Sequence, residues 1–133
     1  MMKQALVLFA HGARDPRWAE PFRKLADRVQ SQRPDIVVTL AFLELMSPRL
    51  PECVAQLLEQ GCDRISVVPV FLGQGGHVLR DLPLLIGQLR QDHPQLQIDV
   101  AQAVGEDDSV QEAMARYCVG TLSAQQAGMP GAE

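Results

Sequence analysis

Two histidines, His11 and His77, each follow a short apolar run and each adjoin glycine, in ALVLFAHGARDP and ISVVPVFLGQGGHVLRDLP. Between them Glu44 closes a third apolar run, IVVTLAFL. Imidazole binds cobalt, nickel, iron or zinc, and one carboxylate adds charge. His11, Glu44 and His77 therefore make a ligand set suited to a divalent transition metal. The same imidazoles can accept protons near neutral pH. Arginines follow on the same three segments: Arg14 and Arg17 after His11, Arg49 after Glu44, and Arg80 after His77.

Each residue taken alone has a plainer reading. A histidine after a strand can cap or hydrogen-bond, Glu44 can pair with a nearby arginine, and exposed arginines are ordinarily solvated. The joint placement argues for a site. The remaining histidine, His93, precedes Pro94 at a helix end and reads as surface. The glycine-rich stretch 73–76 has neither the GK[ST] of a P-loop nor the G-x-G-x-x-G spacing of a dinucleotide fold, so it does not read as a phosphate loop.

Something must bring these segments together. Residues 4–10, 36–43, 64–72 and 96–101 read as strands, the first three buried and the last an alternating edge strand. Between them lie amphipathic helices. Phe22, Leu25, Ala26 and Val29 mark the first, whose regular part begins around 18–20 and runs to about Arg33. Val54, Leu57 and Leu58 mark the second, stopped by Gly61. Leu82, Leu85, Ile86 and Leu89 mark the third, entered through Asp81 and Pro83 after a loop that carries His77. Val110, Met114, Tyr117 and Cys118 mark the last, over about 107–122. Pro69 inside the third strand requires a missing ladder partner on its N–H side.

This βαβαβαβα order predicts a single flavodoxin-like α/β domain over 1–122, with a four-stranded parallel sheet in the order 2-1-3-4 and helices on both faces. The tail 123–133 is expected to be disordered. In such a sheet the loops after the strand C-termini open on one edge, where ligands bind. His11, Glu44 and His77 all fall there.

Composition narrows the function. One domain fits 133 residues, and 47% hydrophobic with 21% charged content is ordinary for a globular protein. A net charge of -4 argues against bulk nucleic-acid binding and against an anionic membrane surface. The first apolar run is too short for a signal peptide, and no run approaches the ~18 residues of a membrane span, so a cytoplasmic protein is expected. Cys53, Cys62 and Cys118 lack metal-type spacing. The two in helical patterns, Cys53 and Cys118, read as small buried hydrophobes.

The segments LVLFAHGARDP, FLELMSPRLPE and VVPVFLGQGGHVLRDLP, in this order, resemble the short CbiX-type sirohydrochlorin chelatases of the class II tetrapyrrole chelatase family. The resemblance covers about residues 4–118 and rests most on HG-x-RDP and G-x-GGH-x-x-RD-x-P. It implies insertion of cobalt or ferrous iron, or nickel in one branch, into sirohydrochlorin on the way to cobalamin or sirohaem. It places the family's metal-binding histidines on His11 and His77 and its acidic residue on Glu44. Arg14, Arg17, Arg49, Gly75, Gly76 and Arg80 become the substrate-binding set, the arginines meeting the tetrapyrrole's carboxylates. It implies a homodimer, and no cofactor beyond the substrate metal. Two other readings stay open: a non-catalytic carrier of metal or tetrapyrrole, and a flavodoxin-like interaction module with incidental histidines.

Overall fold

The computed structural model describes residues 3–73 and 75–126. Strands β1 (Lys3–Ala10), β2 (Val37–Phe42), β3 (Cys62–Pro69) and β4 (Gln97–Val100) form an all-parallel sheet in the order β2-β1-β3-β4. Helices α1 (Glu20–Gln32), α2 (Leu50–Glu59), α3 (Gly76–Asp92) and α4 (Asp108–Gln126) alternate with them. This is the architecture and strand order that the apolar runs predict.

Side chains alternate across the sheet and divide the core in two. Ala5, Val7, Phe9, Ile65, Val67 and Ile98 face α2 and α3. Leu8, Ala10, Phe42 and Val70 face the other way, where Trp18 and Ala19 of the 3-10 turn Pro16–Ala19 and Phe22 of α1 meet them. Burying an aliphatic side chain contributes about 1.5–3 kcal/mol. An aliphatic core of this kind therefore needs few aromatics.

Pro69 behaves as its chemistry requires. The next residue, Val70, donates its N–H to the Phe9 carbonyl of β1 at 2.9 Å. Adjacent residues point to opposite neighbours, so the proline nitrogen faces the β4 side. The pairing with β4 ends at Val67, and no ladder bond is lost at Pro69.

Four features differ from expectation. β3 begins at Cys62 and ends at Pro69, earlier at both ends than 64–72. α3 begins at Gly76, so His77 sits in its first turn instead of in a loop, and Pro83 lies inside the helix. Val78, Leu82, Ile86 and Leu89 are all buried and extend the apolar stripe upstream of the proline. That packing offsets the hydrogen bond Pro83 cannot donate. Leu25 of α1 lies at the rim of its helix face, 38% exposed, because α1 covers only β2 and part of β1.

The fourth difference concerns α4. It continues through Gln126, so residues 123–126 of the predicted tail are helical, and 127–133 lie outside the described residues. It packs chiefly on the 3-10 turn Val104–Glu106 that precedes it. None of its described side chains is buried. Cys118 is consequently exposed, contrary to expectation, whereas Cys53 and Cys62 are buried and free. Burial pushes the Cys53 thiol up to about 11, which makes it inert. Among the described residues, no helix is long and apolar enough to cross a membrane.

Candidate metal and tetrapyrrole site

The four strand C-termini make a continuous rim, and backbone hydrogen bonds stitch its loops together. Leu43 and Glu44 donate to the carbonyls of Ala10 and His11, at 2.9 and 3.1 Å. Gly105 donates to Phe71 at 2.9 Å. The loop after β2 is thus tied to that after β1, and the loop after β4 to that after β3.

Gly12 makes the first of these ties possible. Its φ is +99°, and a Cβ there would stand 1.8 Å from the Glu44 carbonyl oxygen. Only glycine allows both the conformation and the approach. Gly105 allows an equally close approach across the rim, where a Cβ would stand 1.9 Å from the Leu72 carbonyl oxygen.

The result brings His11 and Glu44 together. His11 Nε2 lies 3.5 Å from Glu44 Oε1, and the two side chains are 48% and 49% exposed. The pair can therefore meet one ion from solvent. Phe71 closes the other side of the imidazole, ring to ring at 6.0 Å and 64°, and itself packs on Phe9 at 5.9 Å. The imidazole is thus held between a carboxylate and an apolar ring anchored in the core.

His77 occupies the first turn of α3, after the N-cap Gly75 and after Gly76. Its side chain lies outside the described residues. Among the described residues no group of three His, Cys, Asp or Glu side chains converges. Arg14, Arg49 and Arg80 are exposed. Arg80 Nε lies 3.8 Å from Asp81 Oδ1.

Arg17 is differently placed from the other arginines. Its guanidinium meets the Asp15 carboxylate at 2.7 Å, and its backbone N–H donates to the same group at 2.9 Å. These bonds hold Asp15 below the usual carboxylate range and raise Arg17. Arg17 is engaged within its own loop. His93 caps the C-terminus of α3, with its N–H donating to Leu89, and is half-buried instead of exposed.

Three rim residues carry no sequence signal of their role. Phe71 reads as strand, Gly105 as one glycine among many, and Leu45 as loop. Yet Leu45 adopts φ +67°, a region leucine rarely enters.

Fold and rim define a class: a doubly wound parallel α/β domain with an imidazole–carboxylate pair open at the carboxyl edge. The CbiX family model matches residues 5–118, and the chain belongs to that family. It is 41% identical over 90 residues to the sirohydrochlorin cobaltochelatase of Methanocaldococcus jannaschii, a match covering 68% of this chain and 63% of that one. The chain spans about three fifths of the length of the first curated relatives it matches. Its fold is similar to that of a putative cobalamin biosynthesis CbiX protein from Marinobacter aquaeolei, with a TM-score of 0.80 and 31% identity. That match covers 90% of this chain and 98% of the other. It is also similar to the sirohydrochlorin chelatase SirB from Bacillus subtilis in complex with cobalt, with a TM-score of 0.74 and 26% identity. There the match covers 86% of this chain but 49% of SirB.

Proposed function

We propose that this protein is a sirohydrochlorin chelatase that inserts a divalent metal, cobalt or ferrous iron, into the macrocycle. The observation that carries the reading is the His11–Glu44 pair, 3.5 Å apart and half open on the rim of a CbiX-family fold. Metallation requires the ion to shed water and the ring to lose two pyrrole protons. His11 and Glu44, with His77 from the first turn of α3, take the ion and direct it at the ring. An imidazole not holding the metal accepts a pyrrole proton as general base. Arg14, Arg49 and Arg80 meet the peripheral carboxylates in charge-assisted pairs. Arg17, held by Asp15, contributes through the shape of its loop. Gly75 and Gly76 leave room for the macrocycle's edge at the entry to α3. Cobalt is favoured by the name of the relative at 41% identity. The free buried thiols Cys53 and Cys62 suit a reducing cytoplasm.

The test is turnover. Purified protein given sirohydrochlorin and Co2+ or Fe2+ should form many equivalents of metallated product per chain, followed by absorbance. Product stopping at one equivalent would identify a carrier instead.

The working form in this reading is a twofold homodimer. One rim gives one wall for a macrocycle, and good sites enclose most of a ligand. The match to SirB takes in about half of that longer chain, which leaves room there for a second wall. α4 supplies a contact surface, since Tyr117, Val119 and Leu122 are exposed apolar residues on it. Light scattering should give twice the chain mass. Tyr117→Glu should return the protein to a single chain and reduce turnover at least tenfold.

A further inference from the structure

His11 lies between Glu44 and Phe71, and the residue following each of those two is an exposed leucine. Leu45 is 59% exposed and Leu72 is 73% exposed. Neither exposure is slack in the loop. Leu43 and Met46, which flank the Glu44–Leu45 pair, turn into the two opposite core clusters. The loop around them is closed by the Phe42 N–H donating to the Pro48 carbonyl at 2.9 Å. Leu45 is left facing outward, at φ +67°. Leu72 is fixed from behind, where Gly105 packs so close that a Cβ would stand 2.3 Å from the Leu72 Cα. Strain kept at a non-glycine residue beside a reactive pair points to a use for its side chain.

We propose that Leu45 and Leu72 are substrate-binding residues, two apolar supports on either side of His11 against which the face of a large, flat, carboxylate-fringed macrocycle rests. The proposal depends on the chelatase reading and adds to it what grips the ring itself. Arginines can meet only the carboxylate fringe, and His11 and Glu44 must stay free for the metal and the protons. The faces of the ring are apolar and need apolar partners. Two leucines that lose water only when the ring arrives bind it without competing for the ion. They also set the distance between its centre and His11. A smaller or non-planar anion reaches the arginines but not both leucines, so the pair selects for a macrocycle.

The test uses full-length Leu45→Gly, Leu72→Ser and, as a control, Leu84→Ser, whose leucine is exposed on α3. Three quantities are measured for each: Kd for metal-free sirohydrochlorin by absorbance titration, kcat and KM with saturating Co2+, and mass by light scattering. Leu45→Gly and Leu72→Ser should each raise Kd and KM about tenfold, the effect of withdrawing a leucine-sized apolar contact. Their kcat should stay within about twofold. Leu45→Gly should melt no lower than wild type, because glycine relieves the positive φ. Leu84→Ser should change nothing.

Unchanged Kd in both rim variants overturns the proposal. So does a variant whose weaker binding accompanies a fall to single-chain mass, since the leucines would then be contacts between copies. If the wild type binds the macrocycle but does not turn over, the chelatase reading fails while the Kd comparison still decides the role of the leucines. A wild type that binds no macrocycle overturns both.

Discussion

His11→Ala is expected to lower metallation by about 10²–10⁴-fold while leaving the fold intact, the range a positioned proton-transfer group typically contributes. The loss has two sources at one atom. His11 Nε2 stands 3.5 Å from Glu44 Oε1, so removing the imidazole deletes one donor from the proposed set and leaves the ion to Glu44 and His77. In the proposed mechanism it also deletes a base for the pyrrole protons. The fold should survive because the side chain is 48% exposed, and the loop is held by backbone bonds that alanine also makes. His77→Ala should lose activity comparably, as the other imidazole of the set. His93→Ala should keep wild-type turnover, because His93 caps the far end of α3. Turnover, circular dichroism and cobalt titration on the three variants check this. Near wild-type turnover in His11→Ala would remove the residue from the mechanism.

What could be read from the chain follows from what kind of information each feature needs. Strand order was legible because apolar runs alternate with amphipathic helices, and buried parallel strands write themselves as continuous hydrophobic stretches. Pro69 could be placed correctly because its missing N–H is a local property. The rim residues His11 and Glu44 were legible for the same reason: each closes an apolar run, and the fold class dictates where such runs end. The start of α3 was not legible. Gly73, Gly75, Gly76 and Pro83 signal breaks locally, and the burial of Val78 and Leu82, which overrides them, exists only in the folded chain. α4 misled in the opposite way. Val110, Met114, Tyr117 and Cys118 make a convincing stripe, yet a stripe says only that a helix has an apolar side, not that its own chain covers it. The outward Leu45 left no trace either, since leucine has no preference for positive φ.

The rim's geometry rests on one missing methyl group, and Gly12→Ala should show it. A Cβ at Gly12 would stand 1.8 Å from the Glu44 carbonyl oxygen, well inside contact distance, and that oxygen belongs to backbone that cannot swing aside. The native φ of +99° adds a second conflict, because an L side chain is strained there. Overpacking and backbone strain each cost about 1–3 kcal/mol. Together, a destabilisation of about 3 kcal/mol and a fall in Tm of about 10 °C are expected for a domain of this size. The functional loss should exceed what the lost stability explains. To relieve the clash the loop after β1 must part from the loop after β2. The Glu44 N–H to His11 carbonyl bond then lengthens, and the His11–Glu44 pair opens with it. A displacement of about 1 Å at a reacting group can cost about 10²-fold in rate. Turnover measured well below the variant's Tm should fall by that order. Cobalt affinity should fall with it, while circular dichroism retains the α/β signature. The substitution Gly73→Ala serves as a comparison, since a Cβ there meets no described atom within 4 Å; it should leave Tm unchanged. If Gly12→Ala keeps wild-type turnover and melts normally, the two loops are not held by this contact, and the juxtaposition of His11 and Glu44 must have another cause.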